Sequence, residues 1–222
     1  MRSLSRLSTY VAVLVTALAL VLGTSVPAQA LTLVGNGKAN TLKGKGGNDT
    51  LKGKGGNDKL LGGGGNDKSL GGGGDDTIKS GAGDDYNDGG AGNDLVKAID
   101  GDDVIKGKSG NDRLQGGEGK DDIDGGDGND DLDGGDGNDT LSDGAGNDKI
   151  SADTGNDVIT VGPGQDIVFG EEGDNTIYLL NDGVRDEVYC GPGANDTLVL
   201  VGGRDASDYQ EGFRFCETIR EQ

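Results

Sequence analysis

Aspartate recurs every nine residues through most of the chain, at Asp49, Asp58, Asp67, Asp76, Asp85, Asp94, Asp103, Asp112, Asp121, Asp130, Asp139, Asp148, Asp157 and Asp166. Side chains of this type are hard, anionic oxygen donors, and they can serve either acid–base catalysis or cation binding. The 222 residues include no His and two Cys, which excludes HExxH metalloproteases, His-dependent hydrolases and His-ligated zinc or haem. Acid–base catalysis by Asp and Glu would be open to so many carboxylates, but metal ligation accounts fully for their spacing. No separate catalytic domain is visible beside the repeats, so the chain is expected not to be an enzyme. Twenty basic residues stand against forty acidic ones, and the formal charge of −20 makes nucleic acid and anionic membrane surfaces poor partners. Hydrophobic residues at 31% and 47 glycines would by composition alone read as a disordered linker.

The order of the residues overturns that reading. From Gly35 to Tyr178 the chain divides into sixteen consecutive nonamers without insertion or deletion. Position 4 is Gly in fifteen of them, position 6 is Asp in fourteen, and position 8 is aliphatic in fourteen, failing only at Ser69 and Asn87. Glycine at positions 1, 2 and 4 permits positive φ and leaves carbonyls uncovered, and Asn or Asp at position 5 tolerates a tight turn. The last three residues of each nonamer fit a short strand whose middle side chain points inward. Each nonamer is therefore half a coil, and two make a turn of 18 residues, which gives eight turns. One buried aliphatic per nonamer returns about 2–3 kcal/mol, against an ordering cost on the order of 10 kcal/mol for nine residues. Stacked turns would also bring aspartates within about 5 Å, where like charges repel by roughly 3 kcal/mol at an effective dielectric of 20. A divalent cation between turns converts that repulsion into attraction, and carboxylates with exposed carbonyls suit Ca²⁺ better than Mg²⁺ or zinc.

Repeats such as GGDGNDDLD (125–133) and GGDGNDTLS (134–142) resemble the RTX, or haemolysin-type, calcium-binding nonapeptide. The resemblance implies an all-β, right-handed parallel β-roll, a β-solenoid with an atypical C-terminal cap. It implies six-ligand Ca²⁺ sites between successive same-side turns, formed by the position-6 aspartates named above and by carbonyls of the glycine-rich turn, to a maximum of fourteen ions. The repeats starting at Ser80 and Ala98 depart from the opening glycines. Asn40 and Asn175 take the ligand position at the two ends as weaker, capping versions.

Arg2, Arg6, the apolar run Tyr10–Leu22 and Ala28-Gln29-Ala30 form a Sec-type signal peptide over residues 1–30, cleaved after Ala30. The apolar run is too short for a membrane span, so none is expected in the mature chain, which is secreted. The β-roll is assigned to 31–178. Residues 179–222 hold degenerate repeats, with Asp186 and Asp196 in phase, and a cap bearing Tyr209, Phe213 and Phe215. A Cys190–Cys216 disulfide is expected to pin that cap. Gly107-Lys108-Ser109 lacks the glycine a P-loop needs, and the sequons at Asn48, Asn138 and Asn195 follow from the repeat itself. The expected function is calcium binding in a non-catalytic structural or surface-associated protein whose folding depends on Ca²⁺. The alternative is an adhesin-like extracellular protein that also holds a cell-surface or carbohydrate ligand.

Overall fold

A computed structural model describes residues 28–192, 195–202 and 218–221. The apolar run of the expected signal peptide, the three aromatic residues of the expected cap and Cys216 lie outside the described residues. Within them are twenty strands and no helix, and hence no helix long and apolar enough to cross a membrane.

Alternate strands fall into two sheets. One has eleven strands, starting at β1 (Thr32–Val34) and ending with β19 (Thr197–Val201) and β20 (Thr218–Glu221). The other has nine, from β2 (Thr41–Lys43) to β18 (Glu187–Tyr189). Every pairing is parallel, and through the repeats the register is a constant 18 residues, as in Leu114↔Leu132 and Ile123↔Leu141. The chain is thus the parallel β-solenoid expected from the period. It also runs beyond the regular repeats. β1 precedes the first nonamer and pairs through Leu33↔Leu51, while beyond Tyr178 the register widens, giving Ile167↔Glu187 and Thr197↔Thr218.

The local geometry differs from the expected six-residue turn and three-residue strand. From β4 (Lys59–Gly64) to β14 (Lys149–Thr154) each strand spans six residues, because the opening residues of the next nonamer extend the ladder. Only positions 4 to 6 remain as a turn, as in Gly128-Asn129-Asp130. The extension is kinked. Pairing skips position 1 (Gln115↔Asp133 is followed by Gly117↔Gly135), and position 2 sits at positive φ. Among the described residues six non-glycines adopt positive φ, namely Lys45, Lys54, Ile99, Lys108, Asp153 and Glu171, and all six occupy position 2. Ile99, in one of the departing repeats, therefore keeps the backbone that Gly81 and Gly117 adopt beside it.

Three positions of each repeat point inward. Position 8 forms the hydrocarbon column, with Leu51, Leu60, Ile78, Val96, Ile105, Leu114, Ile123 and Leu132 fully buried among others. Ser69 and Asn87, which break this column, are neighbours in register and equally buried. Asn87 donates to Ser80 Oγ at 3.0 Å, whereas Ser69 Oγ and Asn87 Oδ1 have no partner. Position 1 is inward too. It is glycine in most of the roll but becomes Ala152, Val161, Leu179, Cys190 and Leu200 toward the C-terminus, all buried. The third inward position is the aspartate.

Candidate metal centre

The three-residue turn leaves position 6 at the rim of the hydrocarbon column, where its side chain can reach only along the stack. All fourteen aspartates from Asp49 to Asp166 are accordingly buried, none more than 3% exposed. Because the coil repeats every 18 residues, they separate onto two edges, one carrying Asp49, Asp67 and Asp85 and the other Asp58, Asp76 and Asp94. Along each edge a backbone N–H donates to the Oδ1 of the next aspartate. Asp49 N–H bonds Asp67 at 2.7 Å, Asp112 N–H bonds Asp130 at 2.8 Å, and Asp148 N–H bonds Asp166 at 2.8 Å. The ladders continue past the fourteen: Leu31 N–H bonds Asp49, Asp157 N–H bonds Asn175, Asp166 N–H bonds Asp186, and Asn175 N–H bonds Asp196. Asn40 holds the equivalent place at the N-terminal end, where its N–H donates to Asp58 and its Oδ1 accepts from Asn36.

The second oxygen is different. Oδ2 of every one of the fourteen aspartates is buried without a hydrogen-bond partner. The ion pairs Lys106–Asp124, Arg113–Asp131 and Lys149–Asp131 lie on the outer faces and involve none of the fourteen. Burial of an anion without a countercharge disfavours its charged form. Burial accordingly raises Asp94, Asp103, Asp157 and Asp166 to about 7, and Asp67, Asp112, Asp121 and Asp148 to about 6, despite the lowering effect of the accepted backbone N–H. Burial likewise raises Asp58, Asp76, Asp85, Asp130 and Asp139, and neighbouring aspartates add to the shift in most of these carboxyls.

The glycines at position 1 show what faces those oxygens. A β-carbon on Gly44 would run into Oδ2 of Asp49 and the carbonyl of Gly62 in the next same-edge turn. Gly53 meets Asp58 and the Gly71 carbonyl in the same way, and Gly116 meets Asp121 and the Gly134 carbonyl. Each such glycine keeps open a small cradle into which a buried carboxylate oxygen and a carbonyl oxygen project. These are hard oxygen donors from two successive turns, and such a donor set fits Ca²⁺.

Two features escaped the sequence reading. Asn at position 5 looks like a turn residue, yet its Oδ1 accepts the N–H of its counterpart one coil later, as in Asn111→Asn93 at 2.7 Å and Asn129→Asn111 at 2.8 Å. This forms an exposed ladder of Asn and Asp side chains outside each ladder of buried aspartates, and the preference for Asn, in nine of the sixteen repeats, was its only sequence signal. The other is Asp143, an acid at position 1 where eleven of the sixteen repeats have glycine. It is fully buried, and burial raises its carboxyl to about 7.

The family described as the RTX calcium-binding nonapeptide repeat matches residues 34–69, 69–96, 98–132, 124–159, 133–168 and 152–182. No curated protein matches the chain. The family matches extend over most of the sequence and coincide with the coils that carry the two aspartate ladders, so the chain belongs to the RTX calcium-binding nonapeptide repeat family.

Proposed function

We propose that this is a secreted, non-catalytic structural protein in which Ca²⁺ ions, held between successive same-edge turns by the aspartates from Asp49 to Asp166 and by carbonyls of the position-1 residues, drive folding of the roll. One observation carries the reading: fourteen buried carboxylate oxygens lack a hydrogen-bond partner, and none of the three ion pairs found among the described residues involves them. Without a cation they penalise the folded chain; a shared divalent ion removes that penalty and couples binding to folding. The domain division extends the reading. Residues 1–30 direct export, 31–178 form the calcium-loaded roll, and the remainder closes its end, with Cys190 bonded to Cys216. In support of that bond, Cys190 is fully buried and is not a free thiol.

Circular dichroism of the chain from Leu31 onward tests the function. The spectrum should move cooperatively from coil to β as Ca²⁺ is added, with Mg²⁺ a poor substitute. The same β-rich spectrum in excess EGTA and in millimolar Ca²⁺ would overturn the reading. A cell-wall pull-down with and without Ca²⁺ separates it from the adhesin-like alternative, which requires retention of the protein by the wall.

A further inference from the structure

Most position-1 residues are glycines that keep a cradle open beside an aspartate. Asp143 instead puts a carboxylate into that space. Its Oδ1 accepts two backbone N–H groups, from Gly144 at 2.8 Å and from Gly162 in the next same-edge turn at 2.7 Å. The side chain is therefore fixed across the gap between two turns. Asp148 of its own repeat and Asp166 of the next same-edge repeat approach it, and one oxygen from each of the three carboxylates lies within 4.8 Å of the others. All three side chains are buried, and Oδ2 of each lacks a hydrogen-bond partner. Among the described residues this is the one place where three such ligands converge.

We propose that Asp143, Asp148 and Asp166 form a three-carboxylate calcium site that is the tightest in the roll and the first to fill. The proposal rests on the calcium-binding reading above and adds to it an inequality among the sites. Elsewhere a cradle meets one unpaired carboxylate oxygen and a carbonyl, whereas here three anions share one enclosure and a third formal charge faces the ion. Carboxylate count is a main determinant of calcium affinity in oxygen-ligand sites, and a third anion is unfavourable unless a cation is bound. Asp143 thereby makes its turn the point from which loading starts.

Calorimetric titration of the chain from Leu31 onward with CaCl₂ tests this, using wild type, Asp143→Gly and Asp143→Asn. Glycine restores the residue usual at position 1, and asparagine retains an Oδ1 acceptor for Gly144 and Gly162 while removing the charge. Wild type should show one tight class of about one ion apart from the weaker sites. Both variants should lose it, with its Kd weakened about tenfold or more, while the weaker sites and the β spectrum at saturating Ca²⁺ are retained. A single class in wild type that is unchanged in both variants overturns the proposal. So does tighter binding in Asp143→Gly, which would mean that the side chain excludes the ion. If wild type binds no calcium at all, it is the calcium reading itself that fails.

Discussion

At the scale of single residues, the roll balances glycine's freedom against a few side chains forced to imitate it. Ile99 does so at φ 114°, a region that a β-branched residue enters only under strain. Its register neighbours Gly81 and Gly117 hold the same conformation without that strain. Ile99→Gly should therefore stabilise the calcium-loaded protein by about 1 kcal/mol, read as a rise of a few degrees in Tm; an unchanged or lower Tm would show that the isoleucine's contacts outweigh the strain. Protonation is the second effect at this scale. The carboxyls raised to about 6 and 7 lie above their unfolded value near 4, so without metal the folded state favours the protonated form. For an acid shifted upward, the stabilisation is complete below the unfolded value and is lost as pH rises through the folded one. Metal-free protein should then gain β structure on acidification from about pH 8 to pH 5, and the calcium midpoint should move to higher concentration over the same interval because ions must displace protons. Dichroism at fixed pH values checks both directions.

At the scale of elements, the strands draw their stability from the position-8 column and lose it where that column is interrupted. Ser69 and Asn87 interrupt it at adjacent rungs of one sheet and bury oxygen atoms without partners. Ser69→Val should stabilise the calcium-loaded chain by about 1–2 kcal/mol by removing an orphaned hydroxyl and burying two methyl groups. Chemical denaturation in saturating Ca²⁺ measures this, and a lower midpoint would reveal overpacking. The same elements show which parts of the fold were legible in the sequence. Leu42, Leu51, Leu60 and their successors marked the strands, and the invariant nine-residue spacing of the aspartates marked the ladders, because both signals are one-dimensional. The six-residue strand length was hidden. Position 2 has the composition of a loop, whereas Ile99, Lys108 and Asp153 there adopt the glycine conformation and carry the ladder onward. β1 falls inside the roll assigned from residue 31, but the segment before it lacks the glycines and the aspartate of the repeat, and only Leu33, nine residues before Leu42, keeps its phase. The convergence of Asp143 with Asp166 has no such signal: the 18-residue coil is legible, but nothing in the sequence shows that position 1 points inward beside position 6.

At the scale of the whole molecule, parallel pairing at an 18-residue offset held constant through the repeats means that a strand there meets the rung above, the rung below and the facing sheet. Removing a whole coil should accordingly be tolerated. Deletion of residues 116–133 joins Gln115 to Gly134 in phase and should leave the mean-residue β signal at saturating Ca²⁺ unchanged, with about two fewer ions bound. Deletion of residues 116–120 alone breaks the phase and should abolish the signal above the cut. An equal loss in both variants would show that the coils depend on more than their nearest neighbours.

That same constancy of offset matters for the gene as well as for the polypeptide. Any in-frame duplication or loss of whole repeats leaves a chain whose rungs still match. Length and ion capacity can therefore drift in a population by discrete steps, without passing through an allele that cannot fold.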